Sequence, residues 1–231
     1  MAHYSPRAYW VKVPTPNLKD IVFLVPDKNW AEGIHALIVH RKRALNIRDI
    51  TFDIVTHWTR DPGIIKDGPE VLRSYSRIFG SAIVLFDIEG SGKSRDNIPD
   101  LTAALKLRLV TVGFSNSEVI IVDPELENWV WGNLNTISSV LGWPRTHPRL
   151  NRWLETKGFL QEPSIKPDPP KGAFERVLEE IRKPRSSFIY GELAKKLSTR
   201  YCIDPGFIKL KDTLTSWFPV AGNSNPHLFN T

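Results

Sequence analysis

The chain has 231 residues, of which 41% are hydrophobic and 24% are charged. This composition excludes the disordered and fibrous classes and predicts a globular protein with a substantial hydrophobic core. The formal net charge of +6 is compatible with a polyanionic partner, but because 25 acidic residues accompany it, charge alone does not identify a nucleic-acid-binding protein.

Strands and helices alternate in the first part of the chain. Short apolar runs rich in β-branched residues predict strands at 21–25, 50–55, 82–86 and 119–122. Helical spacing and helix-start signals predict helices at 29–45, 69–77 and 99–109, with a helical turn or short helix at 125–131. This alternation, with nearly continuous apolar strands, predicts a mainly parallel, Rossmann-like α/β sheet flanked by helices.

The character of the sequence changes after Gly142. Four prolines between 163 and 170 predict an extended linker. Beyond it, apolar residues at helical spacing predict three short helices, at 173–181, 189–197 and 207–218. We therefore expect an α/β domain over about 15–145, followed over 146–231 by a proline-rich linker and a small helical C-terminal subdomain.

Carboxylates follow two of the predicted strands. Asp87 and Glu89 follow the strand at 82–86, and Glu125 and Glu127 follow the strand at 119–122. The carboxyl ends of parallel strands border the crevice in which α/β proteins bind ligands and ions. If the strand continues, Asp87 and Glu89 point to the same side, close enough for one divalent ion. We expect these four carboxylates to hold a metal, and Mg²⁺ is the natural candidate because it keeps waters that phosphate oxygens can replace.

Each acidic group also has a structural interpretation. Asp87 and Glu89 could lie in a solvated loop with Lys93 or Arg95 as a counter-charge, and Glu125 could cap the N-terminus of a short helix. Two carboxylates ~4 Å apart repel by about 4 kcal/mol at an effective dielectric constant of 20, so an uncompensated pair tends to hold a proton or recruit a cation.

Basic residues near the same crevice are candidates for phosphate contacts. The segment Gly90-Ser91-Gly92-Lys93-Ser94 has glycines and a lysine like those of a phosphate-binding loop, but the first glycine that such a loop requires falls at Asp87. That mismatch argues against an ATPase. Lys93, together with Arg60 and His57 after the second strand, stays a candidate phosphate ligand, although a lone histidine at a strand end is also commonly structural.

Cysteine content and hydropathy indicate the compartment. The single cysteine, Cys202, cannot form an internal disulfide or a zinc site built from several cysteines, which is typical of a protein in the reducing cytosol. Residues 1–12 contain no long apolar stretch, and no window reaches the ~18 apolar residues that a membrane span needs. We expect a cytoplasmic protein with no membrane partner.

The order of the acidic groups is similar to that of a known fold family. A first strand ending in an acidic loop, then Asp87-Ile88-Glu89, then the cluster from Asp123 to Glu127, resembles the TOPRIM fold of topoisomerases, primases and OLD-type nucleases. The resemblance implies Mg²⁺-dependent phosphodiester chemistry, with Asp87 and Glu89 in the catalytic centre. It also implies an acid or base directly after the first strand. Asp27 stands there in place of the family's usual glutamate and is one methylene shorter.

Several segments also resemble a small bacterial family encoded with methylation-associated anti-phage defence systems. They are Leu24–Lys28, Arg60–Gly63, Phe86–Gly90, Asp123–Trp131 and Lys195–Phe218. This resemblance implies a component of a defence system whose partners are other proteins of that system, but it does not by itself imply a reaction; DNA or RNA is a further candidate partner. Two functions stay open: a metal-dependent nuclease, or a catalytically silent scaffold or sensor subunit, which the missing glutamate favours. Nucleotide binding at Gly90–Ser94 is a third option.

Overall fold

The computed structural model describes residues 18–196, 199 and 202–220. In chain order its elements are β1 (Lys19–Val25), α1 (Lys28–Leu45), β2 (Phe52–Thr56), α2 (Arg60–Val71), β3 (Phe79–Asp87), α3 (Ile98–Thr111), β4 (Ser117–Val122), α4 (Glu127–Val130), α5 (Leu134–Leu141), α6 (Leu150–Thr156), α7 (Pro170–Glu180), α8 (Ser187–Lys196) and α9 (Pro205–Trp217). Short 3-10 turns at Arg73–Arg77 and Arg95–Asn97 precede β3 and α3. The expectations for residues 1–12, for the start of the α/β domain at 15 and for the helix end at Leu197 fall outside the described residues.

The four strands form one parallel sheet in the order β2-β1-β3-β4, which confirms the predicted α/β class with a parallel, Rossmann-like sheet. Asp87 stands beside Val122 in the register of β3 and β4. The pairing continues past the end of β3, because the Glu89 N–H donates to the Pro124 carbonyl over 3.0 Å. This extension carries both acidic groups out of the same edge of the sheet.

The sheet is buried on both faces, so alternate side chains of each strand enter two different clusters. Ile21 and Phe23 face α1 and the C-terminal helices, whereas Val22 and Leu24 face α2 and α3. All four side chains are fully buried. A strand covered on both sides reads as a continuous apolar run, which explains why the sequence predicts these strands well.

Helix α1 forms as its pattern predicts. Trp30, Ile34 and Leu37 form part of a buried stripe against the sheet. The Asp27 side chain caps the helix by accepting hydrogen bonds from the backbone N–H groups of Asn29 at 2.9 Å and Trp30 at 3.2 Å. At the other end Asn46 adopts a left-handed conformation and terminates the helix.

The C-terminal helices contribute to the same hydrophobic core as the sheet. Phe174 of α7, Leu193 of α8 and Phe207 of α9 belong to one cluster with β1 and β4, and α8 packs along α1. The hydrophobic core thus extends across residue 145, while the division of the chain at that point stays a prediction.

Two parts of the secondary structure differ from the expectation. Helix α2 begins at Arg60 and ends at Val71, so the predicted helix over 69–77 was wrong in its limits. Pro62 and Gly63 suggest a break, yet proline is accommodated in the first turn of a helix. Helices α5 and α6 were not predicted, because they are short and lie among prolines and tryptophans. Within the described residues no helix is both long and apolar enough to cross a membrane.

Asp204 links α9 to the region that follows β4 through hydrogen bonds. Its buried carboxylate accepts hydrogen bonds from Trp129 Nε1 at 2.8 Å, from the Phe207 N–H at 3.1 Å and from Asn128 Nδ2.

We expect Asp204→Ala to lower the free energy of unfolding by about 2–4 kcal/mol, because it removes a helix cap and leaves buried donors unpaired. Urea unfolding checks this, with Asp212→Ala at an exposed position of α9 as the control. Equal midpoints for the two variants would contradict it.

Candidate functional site

An open cleft of about 740 Å³ lies at the carboxyl edge of the sheet, bordered by residues that follow β1, β2, β3 and β4. Six carboxylates line it: Asp27, Asp61, Asp87, Glu89, Glu125 and Glu127. Three cationic side chains accompany them: Arg60, Lys171 and Arg185. The cleft therefore carries an excess of acidic groups, although the chain as a whole is basic.

Asp87 is the least compensated of these acids. Its Oδ2 accepts a long hydrogen bond of 3.3 Å from Trp30 Nε1, while its Oδ1 is buried with no hydrogen-bond partner among the described residues. Burial raises the pKa of the Asp87 carboxyl well above its usual range, and the charges of Asp61 and Glu127 raise it further. A buried oxygen without a donor is a position that a cation or a proton would stabilise.

Asp61, in the first turn of α2, supports the end of β3. Its Oδ1 accepts a hydrogen bond of 2.9 Å from the Asp87 backbone N–H. Burial raises the pKa of the Asp61 carboxyl, and the nearby charge of Asp27 acts in the same direction. Asp61 follows the second strand in the chain, and the structure places it in contact with Asp87.

Glu125 is bound at the N-terminus of a distant helix. Its Oε1 accepts a hydrogen bond of 2.9 Å from the backbone N–H of Lys171, in the first turn of α7. The capping role considered for Glu125 is therefore present, but on α7 and not on the short helix that follows it in sequence. Burial, then the charge of Glu127, raises the pKa of the Glu125 carboxyl.

Glu127 is a buried anchor for the C-terminal helices. It accepts hydrogen bonds from Arg185 over 2.7 Å and from the hydroxyl of Tyr190 in α8. Arg185 also pairs with Glu175 over 2.6 Å. Burial raises the pKa of the Tyr190 phenol, and the charge of Glu127 raises it further, so the hydroxyl stays protonated as a donor. Of the four predicted metal ligands, Glu127 has the most complete set of protein partners.

The structure brings some of the remaining candidates to the cleft and not others. Glu89 and Arg60 are exposed side chains that line it. Lys93 lies outside the lining, in the exposed loop after β3. His57 is buried, with Nε2 placed 2.9 Å from Asp67 Oδ1 and Nδ1 close to Thr59, so its ring serves the structure of the turn. Neither Lys93 nor His57 forms part of the cleft.

Several cleft residues were not assigned to the site from the sequence. Trp30, Lys171 and Arg185 come from α1, from the start of α7 and from the segment before α8. Lys171 and Arg185 lie in basic segments that contain or adjoin prolines. No local signal distinguishes such residues from solvated ones, because their position depends on how the C-terminal helices pack.

The donor set fits a loosely held divalent cation. Among the described residues, no group of three or more His, Cys, Asp or Glu side chains is arranged to hold a metal ion. Mg²⁺, however, is usually held by one or two carboxylates, substrate phosphates and waters. Asp87, with its unpartnered buried oxygen, and Glu89, exposed in the same cleft, meet this smaller requirement.

Comparisons with protein-family models, with curated proteins and with solved structures find no match to this chain.

Proposed function

We propose that this cleft binds Mg²⁺ and acts on the phosphodiester bonds of nucleic acid. The observation that carries the proposal is the partly buried carboxylate of Asp87, whose Oδ1 is buried without a partner among the described residues, in an acidic cleft at the carboxyl edge of a parallel sheet. Bringing carboxylates together out of water is unfavourable without a counter-charge, so such a group is typical of a site that recruits a cation.

Asp87 and Glu89 would hold the ion, which when bound polarises a phosphoryl oxygen and lowers the pKa of a water. The side chains of Glu125 and Glu127 already have protein partners, so in this proposal they do not bind the ion directly. They contribute negative charge to the cleft that holds it. The predicted ligand set of four is thereby reduced, in this proposal, to two ligands and two supporting carboxylates.

The cationic side chains orient the substrate. Arg60 forms no ion pair with any carboxylate of the described residues, although it lines the same cleft, and its guanidinium is suited to bidentate contact with a phosphate. The Lys171 ammonium lies 3.9 Å from Glu125 Oε2, at the limit of an ion pair, and provides a second positive charge. Together they offset the repulsion between the acidic cleft and a phosphate backbone.

In this proposal either Asp61 or Asp27 donates the proton to the leaving oxygen. Asp61 has a raised pKa, so it holds a proton at a higher pH than an ordinary aspartate and is suited to protonate a leaving oxygen. Asp27, the residue assigned by the TOPRIM resemblance, uses Oδ1 to cap α1 and also lines the cleft. The resemblance to the defence-associated family supports an anti-phage setting for this chemistry.

We expect purified protein with Mg²⁺ or Mn²⁺ to cleave single- or double-stranded DNA or RNA, and Glu89→Gln to reduce the rate by roughly 10- to 100-fold or more. The reason is that the amide removes a charged ligand without changing the shape of an exposed side chain. Gel analysis of end-labelled substrates measures the rate. Asp212→Asn, an exposed acid on α9, is the matched control.

The opposite outcome would support a second function, a catalytically silent scaffold or sensor subunit. Two cleft acids serve the fold, because Asp27 caps α1 and Glu127 anchors α8, and exposed apolar side chains such as Phe188 (68% exposed) offer contacts to a partner. A wild-type protein that cuts no nucleic acid, together with an Asp87→Ala variant that still protects cells against phage, would exclude the nuclease and leave this function.

A further inference from the structure

The turn between β2 and α2 places an exposed tryptophan beside the cleft. The backbone N–H of Arg60 donates to the His57 carbonyl over 3.1 Å and closes the turn, with Trp58 at its tip. Trp58 is 70% exposed. The next three residues along the chain, Thr59, Arg60 and Asp61, all line the cleft.

The indole of Trp58 is held in place although most of it lies in solvent. It stacks on the His57 ring, with centroids 4.4 Å apart and planes inclined by 25°. His57 is only 2% exposed and is fixed by Asp67 and Thr59. Gly63 makes room for this ring, because a Cβ there would lie 2.2 Å from His57 Cε1. His57 thus supports one face of the indole and leaves the opposite face open.

The same turn holds Arg60 in an unfavourable backbone conformation. Its φ of 56° lies in the left-handed region, which a non-glycine residue rarely adopts. Such strain persists where the surrounding structure imposes it, and it is found most often at functional sites. Here it accompanies an arginine that lines the cleft and forms no ion pair with a described carboxylate. A rigid exposed ring and an unpaired guanidinium therefore stand two residues apart at the rim.

We propose that Trp58 is a stacking platform for one base of a single-stranded nucleic acid, with Arg60 on the adjoining phosphate. The inference rests on the proposed function, since it names the substrate class of that cleft. Every base has a face that can stack on an indole, so such a platform binds single strands with little sequence preference. Duplex bases are already stacked and present only their edges, which makes a single strand the fitting ligand.

Binding measured without catalysis tests the platform. The probe is a labelled single-stranded 12-mer of mixed sequence, titrated in EDTA and followed by fluorescence anisotropy. We expect Trp58→Ala to weaken binding roughly 5- to 100-fold, the loss of one stacked base, and Trp58→Phe to retain most of the affinity. Phe188→Ala removes an equally exposed aromatic ring on α8 and is expected to bind like the wild type. Melting temperatures confirm that all variants are folded.

Each contrary result has a separate meaning. Equal affinity of Trp58→Ala and wild type, or equal losses in Trp58→Ala and Phe188→Ala, overturns the platform. If the wild type cleaves nucleic acid and Trp58→Ala leaves its KM unchanged, the platform is overturned while the proposed function stands. If the wild type neither binds nor cleaves any oligonucleotide, both fail. Loss of a protein partner by Trp58→Ala with unchanged oligonucleotide affinity would assign the ring to a protein contact and overturn the inference.

Discussion

Replacing Asp87 by asparagine is expected to raise the melting temperature of the protein in EDTA and to abolish its cleavage activity. The amide keeps the shape of the side chain and can still accept the hydrogen bond from Trp30, but it removes the negative charge from a partly buried, acid-rich position. For a chain of this size a gain of 1 kcal/mol raises the melting temperature by roughly 2–4 °C. Calorimetry in EDTA measures the gain, and Asp100→Asn, at an exposed position of α3, is the control.

The difference in melting temperature between Asp87→Asn and the wild type is expected to increase with pH. Burial raises the pKa of Asp87 in the folded state, so the folded protein binds the Asp87 proton more tightly than the unfolded chain does. The resulting stabilisation is fully present below the unfolded pKa of about 3.9 and is lost as the pH rises through the folded value. The melting temperatures of wild type and Asp87→Asn should therefore diverge with rising pH. A constant difference, or a less stable variant, would contradict the assignment of Asp87 as an uncompensated carboxylate.

Magnesium should act on the wild type alone. A cation that binds only the folded state raises its stability, by about 2.7 kcal/mol when its concentration is 100 times the dissociation constant. We expect Mg²⁺ to raise the melting temperature of the wild type and to leave Asp87→Asn unchanged. An equal shift in both proteins would place the binding site of the ion elsewhere.

The second large effect is expected at Glu127. Glu127→Ala should lower the free energy of unfolding by about 3 kcal/mol, because it removes a buried carboxylate that accepts hydrogen bonds from both Arg185 and Tyr190. The Tyr190 hydroxyl loses its acceptor, and Arg185 keeps its contacts with Glu175 and with the Tyr190 oxygen. At 2–4 °C per kcal/mol the melting temperature should fall by roughly 6–12 °C.

Glu175→Ala is the matched control for this prediction, because it removes the other carboxylate bound to Arg185. The Glu175 side chain is 45% exposed, whereas that of Glu127 is 3% exposed. An exposed ion pair contributes less than about 1 kcal/mol, so this variant should melt close to the wild type. Comparable losses in the two variants would show that Glu127 is not the anchor of α8.

The sequence predicts well those elements whose pattern is local. Residues 21–25 are apolar without interruption because both faces of β1 are covered, and Trp30, Ile34 and Leu37 repeat at the helical period because α1 is covered on one side. The limits of α2 were wrong because Pro62 and Gly63 have the composition of a break. In the structure, proline fits the first turn of α2, and glycine leaves the space that the His57 ring fills.

The site was predictable in part for the same reason. Asp87, Glu89 and Glu125 follow strands of one parallel sheet, and the topology of such a sheet brings strand ends together. The partners of these acids are not local. Arg185 meets Glu127 across 58 residues of chain, and Trp30 meets Asp87 across 57. Such pairs depend on tertiary packing, which local sequence patterns do not report.

The packing of α8 and α9 against α1 also bears on how the chain folds during synthesis. Thr199 and Thr215 donate hydrogen bonds to the carbonyls of Ala44 and Leu45, across 155 and 170 residues. At 5–20 residues per second, the roughly 140 residues between α1 and α8 take about 7–28 s to translate. Throughout that interval the apolar side of α1 that faces α8 has no partner. That side of α1 is therefore open to aggregation until α8 has been synthesised, and the segment just before α8 is also the one that brings Arg185 to the acidic cleft.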